Sequence, residues 1–174
     1  MTRRGFTIVE LIITITIMGI LLALAVVNVS STQMNARDES RKADIEAIAS
    51  NLEAFYTGST DGSVNFARYP SLDLIGNAAT ITTSLRDASI KSFLPPGTTD
   101  VTQTFLGSTN TGALPAIQTT AGVLPQPTKD QFIYQPIKSD GSVCTPAIID
   151  CRKFNLYYRL EVDNTVYKVT SKNQ

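Results

Sequence analysis

The chain has 174 residues, enough for one small domain, and its 15 basic and 15 acidic side chains balance. That balance argues against binding nucleic acid by charge, and the absence of histidine removes the commonest general base and metal ligand. The two cysteines, Cys144 and Cys151, lie close together. In a chain that leaves the cytoplasm such a pair predicts one disulfide; the alternative is two buried free thiols.

An apolar run from Phe6 to Val27 follows Arg3 and Arg4 and holds a single charged residue, Glu10. The run can cross a bilayer as a helix, which takes about 20 residues. A lone carboxylate inside such a segment costs on the order of 2.5–3.5 kcal/mol. Because no basic residue lies inside the run, we expect the partner of Glu10 to come from another molecule.

Two general interpretations of this run leave Glu10 unexplained. A secretory signal peptide would use Ala23-Leu24-Ala25 as its small-residue cleavage site. Its apolar core, however, usually spans about 7–15 residues and has no use for a charge. A plain membrane anchor, with Arg3 and Arg4 holding the N-terminus in the cytoplasm, gives a topology but no role for the carboxylate.

A third interpretation accounts for the carboxylate. The run opens with a segment that resembles the processing motif of type IV pilin and pseudopilin precursors, Gly5-Phe6-Thr7-Ile8-Val9-Glu10-Leu11. The resemblance implies that a prepilin peptidase cuts between Gly5 and Phe6 and that the new N-terminal Phe6 is N-methylated. It also implies that the Phe6 amine pairs with Glu10 of a neighbouring subunit, so that Glu10 and Thr7 serve assembly and register.

The same resemblance implies an organisation in five parts. They are a leader peptide at 1–5, the transmembrane or assembly half of a long helix at 6–27, the amphipathic half of that helix at 28–57, a variable connecting region at 58–130, and C-terminal antiparallel strands with a disulfide loop at 131–174. Many type IV pilins carry a proline late in the apolar helix, where this chain has Val27. We therefore expect no proline-linked kink.

The helix is predicted to continue beyond the bilayer to about Tyr56, with Gly58 as its stop and a length of roughly 75 Å. Its second half carries an apolar stripe at steps of three and four that packs under a soluble domain: Ile45, Ile48, Ala49, Leu52, Phe55 and Tyr56. The charged segment 37–44 before the stripe is interpreted as a solvated face. Within it Asp38 and Lys42 stand at the i, i+4 spacing of an ion pair.

The connecting region is rich in Thr, Ser, Gly, Asn and Pro from Gly76 to Thr128. One or two helical turns are predicted around Ser84–Leu94, with Leu85, Ala88 and Phe93 facing inward. The remainder, from Gly97 to Pro127, is predicted to be loop with short extended pieces.

Three runs rich in aromatic and β-branched residues, 131–137, 154–161 and 166–169, predict an antiparallel meander that covers the amphipathic half of the helix. Asp163-Asn164-Thr165 supplies the last turn. For the tyrosines at 134, 157, 158 and 167, packing within and across strands is preferred over an adhesive patch. The predicted fold class is α+β, with a long N-terminal helix against a small C-terminal antiparallel sheet, as in pilins.

The sequence assigns no catalytic, cofactor-binding or metal-ligating residue. Some pseudopilins bind calcium near the C-terminus, but Asp130, Asp140 and Asp150 fit no known loop spacing. The chain is predicted to be a non-enzymatic structural subunit of a type IV pilus-type filament. The alternatives are a pseudopilin of a type II secretion or DNA-uptake system, which an imaging experiment separates, and a singly anchored adhesive domain.

The predicted partners are other copies of the chain, the prepilin peptidase, an assembly platform with its ATPase, and the membrane before assembly; nucleic acid is not among them. The predicted location is a single-pass inner membrane with the N-terminus inside and the head outside. An extracellular filament or a pseudopilus follows after assembly.

Overall fold

The computed structural model describes residues 5–58, 67–75, 77–85, 88–111, 115–145 and 150–173. One helix, α1, spans Ile8–Gly58, 51 residues without interruption. It ends at the glycine that the sequence indicates as a stop, and the helical run continues through the position of Val27. The absence of an interior proline, which would remove a backbone bond, allows this continuity.

The C-terminal head is a four-stranded sheet in the order β1-β2-β3-β4. Its strands are β1 at Phe105–Gly107, β2 at Phe132–Lys138, β3 at Cys151–Arg159 and β4 at Val166–Thr170. The last three form the predicted antiparallel meander.

The predicted antiparallel sheet is extended at one edge by β1, which pairs with β2 in parallel and makes the sheet mixed. This three-residue strand lies in the region predicted as loop and has no alternating pattern of its own. Its pairing with β2, Phe105 against Phe132, defines it as a strand. A parallel pair needs a long connection, which residues 108–131 provide.

The apolar stripe of α1 packs against one face of this sheet. Ile45, Ile48 and Leu52 are buried and belong to one core cluster with strand residues that include Phe132, Tyr134, Phe154 and Leu156. Ala49, Phe55 and Tyr56 are partly buried against the same cluster, so every residue of the predicted stripe faces the head. Burial of an aliphatic side chain contributes about 1.5–3 kcal/mol, and this stripe therefore holds the helix to the head.

Short helices of the connecting region complete this core. α2 spans Ala78–Ser84, a 3-10 helix spans Ile90–Phe93, and α3 spans Val101–Thr104. The helical turns predicted around 84–94 are thus one short 3-10 helix preceded by a helix that the sequence analysis missed. Leu85 and Phe93 are buried and Ala88 is half-buried, as predicted.

The outer face of the sheet is covered by described parts of the connection between β1 and β2, residues 108–111 and 115–131, referred to below as the covering loop. Ile133 and Tyr157 pack against Val123 of this loop. Beside them is a buried polar cluster: Gln135 donates to the carbonyl of Ile117 at 3.1 Å, and Tyr157 donates to the carbonyl of Gln118 at 2.8 Å. Burial raises the pKa of Tyr157 to about 12, so its hydroxyl stays a donor.

Candidate functional site

The N-terminal end of α1 is fixed by a reciprocal pair of hydrogen bonds between Thr7 and Glu10. Residues 5–7 are not helical, and the first backbone bond of the helix runs from Leu11 N to Thr7 O, 3.2 Å. Thr7 Oγ1 accepts the N–H of Glu10 at 3.2 Å. In return, Glu10 Oε2 accepts the N–H and the hydroxyl of Thr7, each at 3.4 Å. This is a capping box, in which residue N-cap and residue N3 satisfy each other's backbone donors.

The capping box gives the Glu10 carboxylate two hydrogen-bond donors within its own chain, both from Thr7. These donors are uncharged, and among the described residues no ion pair involves Glu10. The charge itself therefore remains unpaired within the described part of the chain.

The first half of α1 presents its apolar side chains to the outside over its whole circumference. Large hydrophobic residues here are more than half exposed: Ile8, Val9, Leu11, Ile12, Ile13, Ile15, Ile17, Met18, Ile20, Leu21, Leu22 and Leu24. By length and composition, α1 is the one described helix that can cross a membrane, a criterion that an N-terminal signal sequence also meets. An exposed apolar surface of this extent requires a membrane or other helices as its environment.

The head begins to contact α1 at a buried charge cluster, which we call the Asp38 clamp: Arg37, Asp38, Arg41 and Glu161. Asp38 and Arg41 are only 3% and 1% exposed. The Arg41 guanidinium donates to Asp38 at 2.7 Å and to the carbonyl of Lys129 at 2.7 Å. Arg37 holds Glu161 with two bonds, at 2.9 and 2.7 Å.

The clamp overturns two expectations about residues 37–44. They were interpreted as a solvated face, but Asp38 and Arg41 point into the head. Lys42 does not pair with Asp38; it bonds to the exposed Glu39 at 2.8 Å instead. The physical reason is that Asp38 also accepts the backbone N–H groups of Glu161 and Val162. Together with Arg41, these buried donors stabilise the carboxylate more than a single exposed lysine would.

A second polar contact joins the far end of α1 to the end of the sheet. Glu53 accepts the hydroxyl of Tyr69 at 2.8 Å, the N–H of Lys172 at 2.7 Å and the side-chain amide of Asn173 at 2.8 Å. Burial raises the pKa of the Tyr69 hydroxyl, which keeps it protonated as a donor. The helix is therefore tied to the head by polar contacts before its apolar stripe, at Asp38, and near the end of that stripe, at Glu53.

Of the capping box, the Asp38 clamp and the contacts of Glu53, only the capping box is visible as a pattern in the sequence. The capping box is visible as Thr7 followed three residues later by Glu10, before an apolar run. Nothing in the local sequence links Asp38 to Glu161, since the two are 123 residues apart. Likewise Glu53 and Asn173 are 120 residues apart.

The two cysteines form the predicted disulfide. Cys144 and Cys151 are both buried, and their Cα atoms are 5.9 Å apart. Cys151 is the first residue of β3, and its carbonyl accepts the N–H of Tyr69 at 2.8 Å. The bridge thus supports the connection between β2 and β3 and the segment that leaves the helix.

Two of the three aspartates considered for calcium have other partners. Asp140 accepts from Ser142, and Asp150 pairs with Arg152 at 2.7 Å. Within the described ranges, no group of three or more His, Cys, Asp or Glu side chains is placed to hold a metal ion. The predicted tyrosine packing is confirmed: Tyr134, Tyr157 and Tyr158 are buried, and Tyr158 stacks on Tyr167 with ring centroids 5.7 Å apart.

A long N-terminal helix that is bare and apolar in its first half and covered by a small mixed sheet in its second half has the α+β layout of pilins. The chain also carries a defined signature: residues 1–26 match the prokaryotic N-terminal methylation motif, the precursor signature of type IV pilins and pseudopilins. Comparison with curated proteins and comparison with solved structures give no significant match.

Proposed function

We propose that this chain is a structural subunit of a type IV pilus-type filament, made as a precursor and polymerised through α1. Prepilin peptidase removes residues 1–5 by cutting between Gly5 and Phe6, and Phe6 is then N-methylated. The methylation motif at residues 1–26 supports processing of this type. The proposal places the head outside the inner membrane before assembly and on the surface of the filament afterwards.

The observation that carries the proposal is the contrast between the two halves of α1. Residues 8–25 are exposed in the isolated chain, whereas Ile45, Ile48 and Leu52 are covered by the head. The apolar half serves first as a membrane anchor and then packs with the corresponding helices of other copies. Hydrophobic and van der Waals packing of these helices supplies most of the stability of the filament.

Glu10 sets the register of this packing. Cleavage creates an amine on Phe6, and this cation of one subunit pairs with the Glu10 carboxylate of its neighbour. The pair offsets the cost of holding either charge alone in an apolar environment. Among the described residues Glu10 accepts only the uncharged donors of Thr7, which supports a charged partner from another subunit.

Analysis of the N-terminus tests the proposal directly. Protein extracted from membranes of its host is examined by N-terminal sequencing and by intact mass. We expect a chain that begins at Phe6. Its mass should exceed that of the unmethylated chain from Phe6 by the replacement of one hydrogen with a methyl group. An intact Met1 end would instead support a singly anchored adhesive domain, for which no processing is expected.

The same motif is found in pseudopilins of type II secretion and DNA-uptake systems, and this is the alternative assignment. Electron microscopy with antibodies against the head separates the two. Long surface fibres that contain the protein support a pilus subunit. Defects in secretion or uptake after gene deletion, without visible fibres, support a pseudopilin.

A further inference from the structure

We propose that Thr7 is a positioning residue for the cleavage reaction, because its side chain stops α1 just after the bond to be cut. This inference rests on the proposed processing between Gly5 and Phe6. Thr7 is the N-cap residue: it precedes Ile8, the first residue of the helix, and its Oγ1 accepts the N–H of Glu10 at 3.2 Å.

The position of the cap decides which carbonyl groups are free. An N-cap residue gives its own carbonyl oxygen to the first backbone bond of a helix. Here that acceptor is Thr7 O, which receives the N–H of Leu11 at 3.2 Å. The carbonyl of Gly5, two residues earlier, is consequently outside the helical ladder. It belongs to the bond that a peptidase would hydrolyse.

Loss of the cap would move the helix start towards this bond. Upstream of Thr7, the next residue of a type favoured at the N-cap position is Gly5, since glycine is tolerated there although it has no side chain. A helix capped by Gly5 would engage the Gly5 carbonyl as its first acceptor and would make Phe6 helical. The resemblance implies that the prepilin peptidase is an aspartyl peptidase. In such an enzyme one carboxylic acid protonates the scissile carbonyl while a carboxylate deprotonates the attacking water, and the peptide is bound in an extended form. A hydrogen-bonded helical carbonyl is a poor substrate for that chemistry.

The carboxylate of Glu10 has a secondary part in this arrangement. Its Oε2 completes the capping box, but the cap itself needs only the backbone N–H of residue 10. Substitution of Glu10 therefore leaves the Thr7 cap in place. In this arrangement Thr7 keeps the bond to be cut outside the helix, and the carboxylate of Glu10, three residues later, serves assembly.

The test compares full-length precursors that differ at residue 7, in membranes that contain a prepilin peptidase. Thr7→Val keeps the shape of the side chain and removes the acceptor, and Thr7→Ser keeps the acceptor. We expect Thr7→Val to slow cleavage by up to about fivefold, the change in the equilibrium constant between the two helix starts that matches a cap worth about 1 kcal/mol. Thr7→Ser should be cleaved at the rate of the original chain.

A second readout separates positioning from direct recognition of the hydroxyl. The carbonyl carbon of Gly5 is labelled with ¹³C in the full-length precursor in detergent micelles, and its chemical shift is measured by NMR. In Thr7→Val the shift should move towards the helical value; in Thr7→Ser it should not. Slow cleavage of Thr7→Val with an unchanged Gly5 shift would overturn the inference, since the peptidase would then contact Thr7 itself.

A double-mutant cycle with Ile8→Pro gives the sharpest control. Proline at the first helical position is compatible with a helix and keeps the preceding residue out of the helical conformation. Thr7→Val should therefore have no effect on cleavage in an Ile8→Pro background. An equal loss in both backgrounds, or cleavage of Thr7→Val at the original rate, would refute the role of the cap. If the original precursor is not cut after Gly5 at all, the proposed function fails instead.

Discussion

The Asp38 carboxylate of α1 accepts the backbone N–H of Glu161 at 2.8 Å, across 123 residues of sequence. This bond lies where the head first contacts the helix, and Arg41 occupies the space between the two acidic side chains. It donates to Asp38 at 2.7 Å and to Glu161 at 3.3 Å. A buried arginine and two carboxylates therefore join α1 to the turn between β3 and β4.

Replacement of Asp38 by alanine should strongly destabilise the head. The change leaves the buried Arg41 without its closest anion and the N–H groups of Glu161 and Val162 without an acceptor. Breaking a buried pair in this way costs about 3–5 kcal/mol. Urea unfolding of the detergent-solubilised protein, followed by tyrosine fluorescence, measures the loss.

The exposed pair Glu39–Lys42 on the same helix provides the matched control. Surface pairs of this type contribute about 0.2–1 kcal/mol, so Glu39→Ala should have a small effect. Equal losses for Asp38→Ala and Glu39→Ala would contradict the role assigned to the clamp.

The clamp should also give the head an acid-sensitive stability. Hydrogen bonding from Arg37 lowers the pKa of Glu161 from 4.5 to about 2. Because the folded-state pKa is lower than the ordinary one, the stabilisation is complete above about pH 4.5 and is lost as the pH falls towards 2. Unfolding free energies measured from pH 6 to pH 2 should therefore decline on the acid side.

Glu161→Gln tests the origin of that decline. The amide cannot titrate, so the variant should be less stable at neutral pH and should lose less stability on acidification. An acid slope identical to that of the original protein would assign the effect to other carboxylates.

The disulfide should stabilise the head without affecting processing. A bridge between Cys144 and Cys151, seven positions apart, contributes roughly 2–3 kcal/mol by restricting the unfolded chain. The double variant Cys144→Ser/Cys151→Ser should lose that amount in urea unfolding and should still be cleaved at its N-terminus. An unchanged unfolding midpoint in the double variant would show that the bridge adds nothing to stability.

Glu10→Val should be cleaved but excluded from filaments. The variant keeps the Thr7 cap, whose acceptor bonds a backbone N–H, and removes the charge that we propose pairs with the Phe6 amine. Processing is followed by the size and N-terminus of the membrane protein, and assembly by its amount in sheared surface fibres. Glu46→Gln, an exposed carboxylate on the head half of α1, is the control and should assemble normally. Normal incorporation of Glu10→Val would refute the pairing.

Much of the fold follows from periodicity in the sequence. The stripe from Ile45 to Tyr56 predicts the buried face of α1, since its spacing of three and four residues needs no distant information. The strands β2, β3 and β4 were located to within a few residues for the same reason, because runs of aromatic and β-branched residues are local signals.

Features that depend on distant contacts were not predicted. β1 is a strand because Phe105 pairs with Phe132, and Asp38 is buried because the backbone of Glu161 and Val162 solvates it. In both cases the local residues suit another state equally well, a loop for β1 and a solvated helix face for Asp38. Tertiary contacts decide between the two states in each case, and the residues close by in the sequence do not indicate those contacts.

The covering loop has two kinds of residues: some contact the sheet beneath it, and others are exposed on the surface of the head. It is held to the rest of the head at several points: the carbonyls of Ile117 and Gln118 accept from Gln135 and Tyr157, and the carbonyl of Pro127 accepts from Arg159 at 2.7 Å. Other side chains of the loop, such as those of Thr109, Ala116 and Thr119, are exposed. They can be exchanged at little cost to the sheet beneath. Side-chain substitutions on this side of the head can therefore leave the joint between head and helix unchanged, because Arg41 contacts this loop through the backbone carbonyl of Lys129.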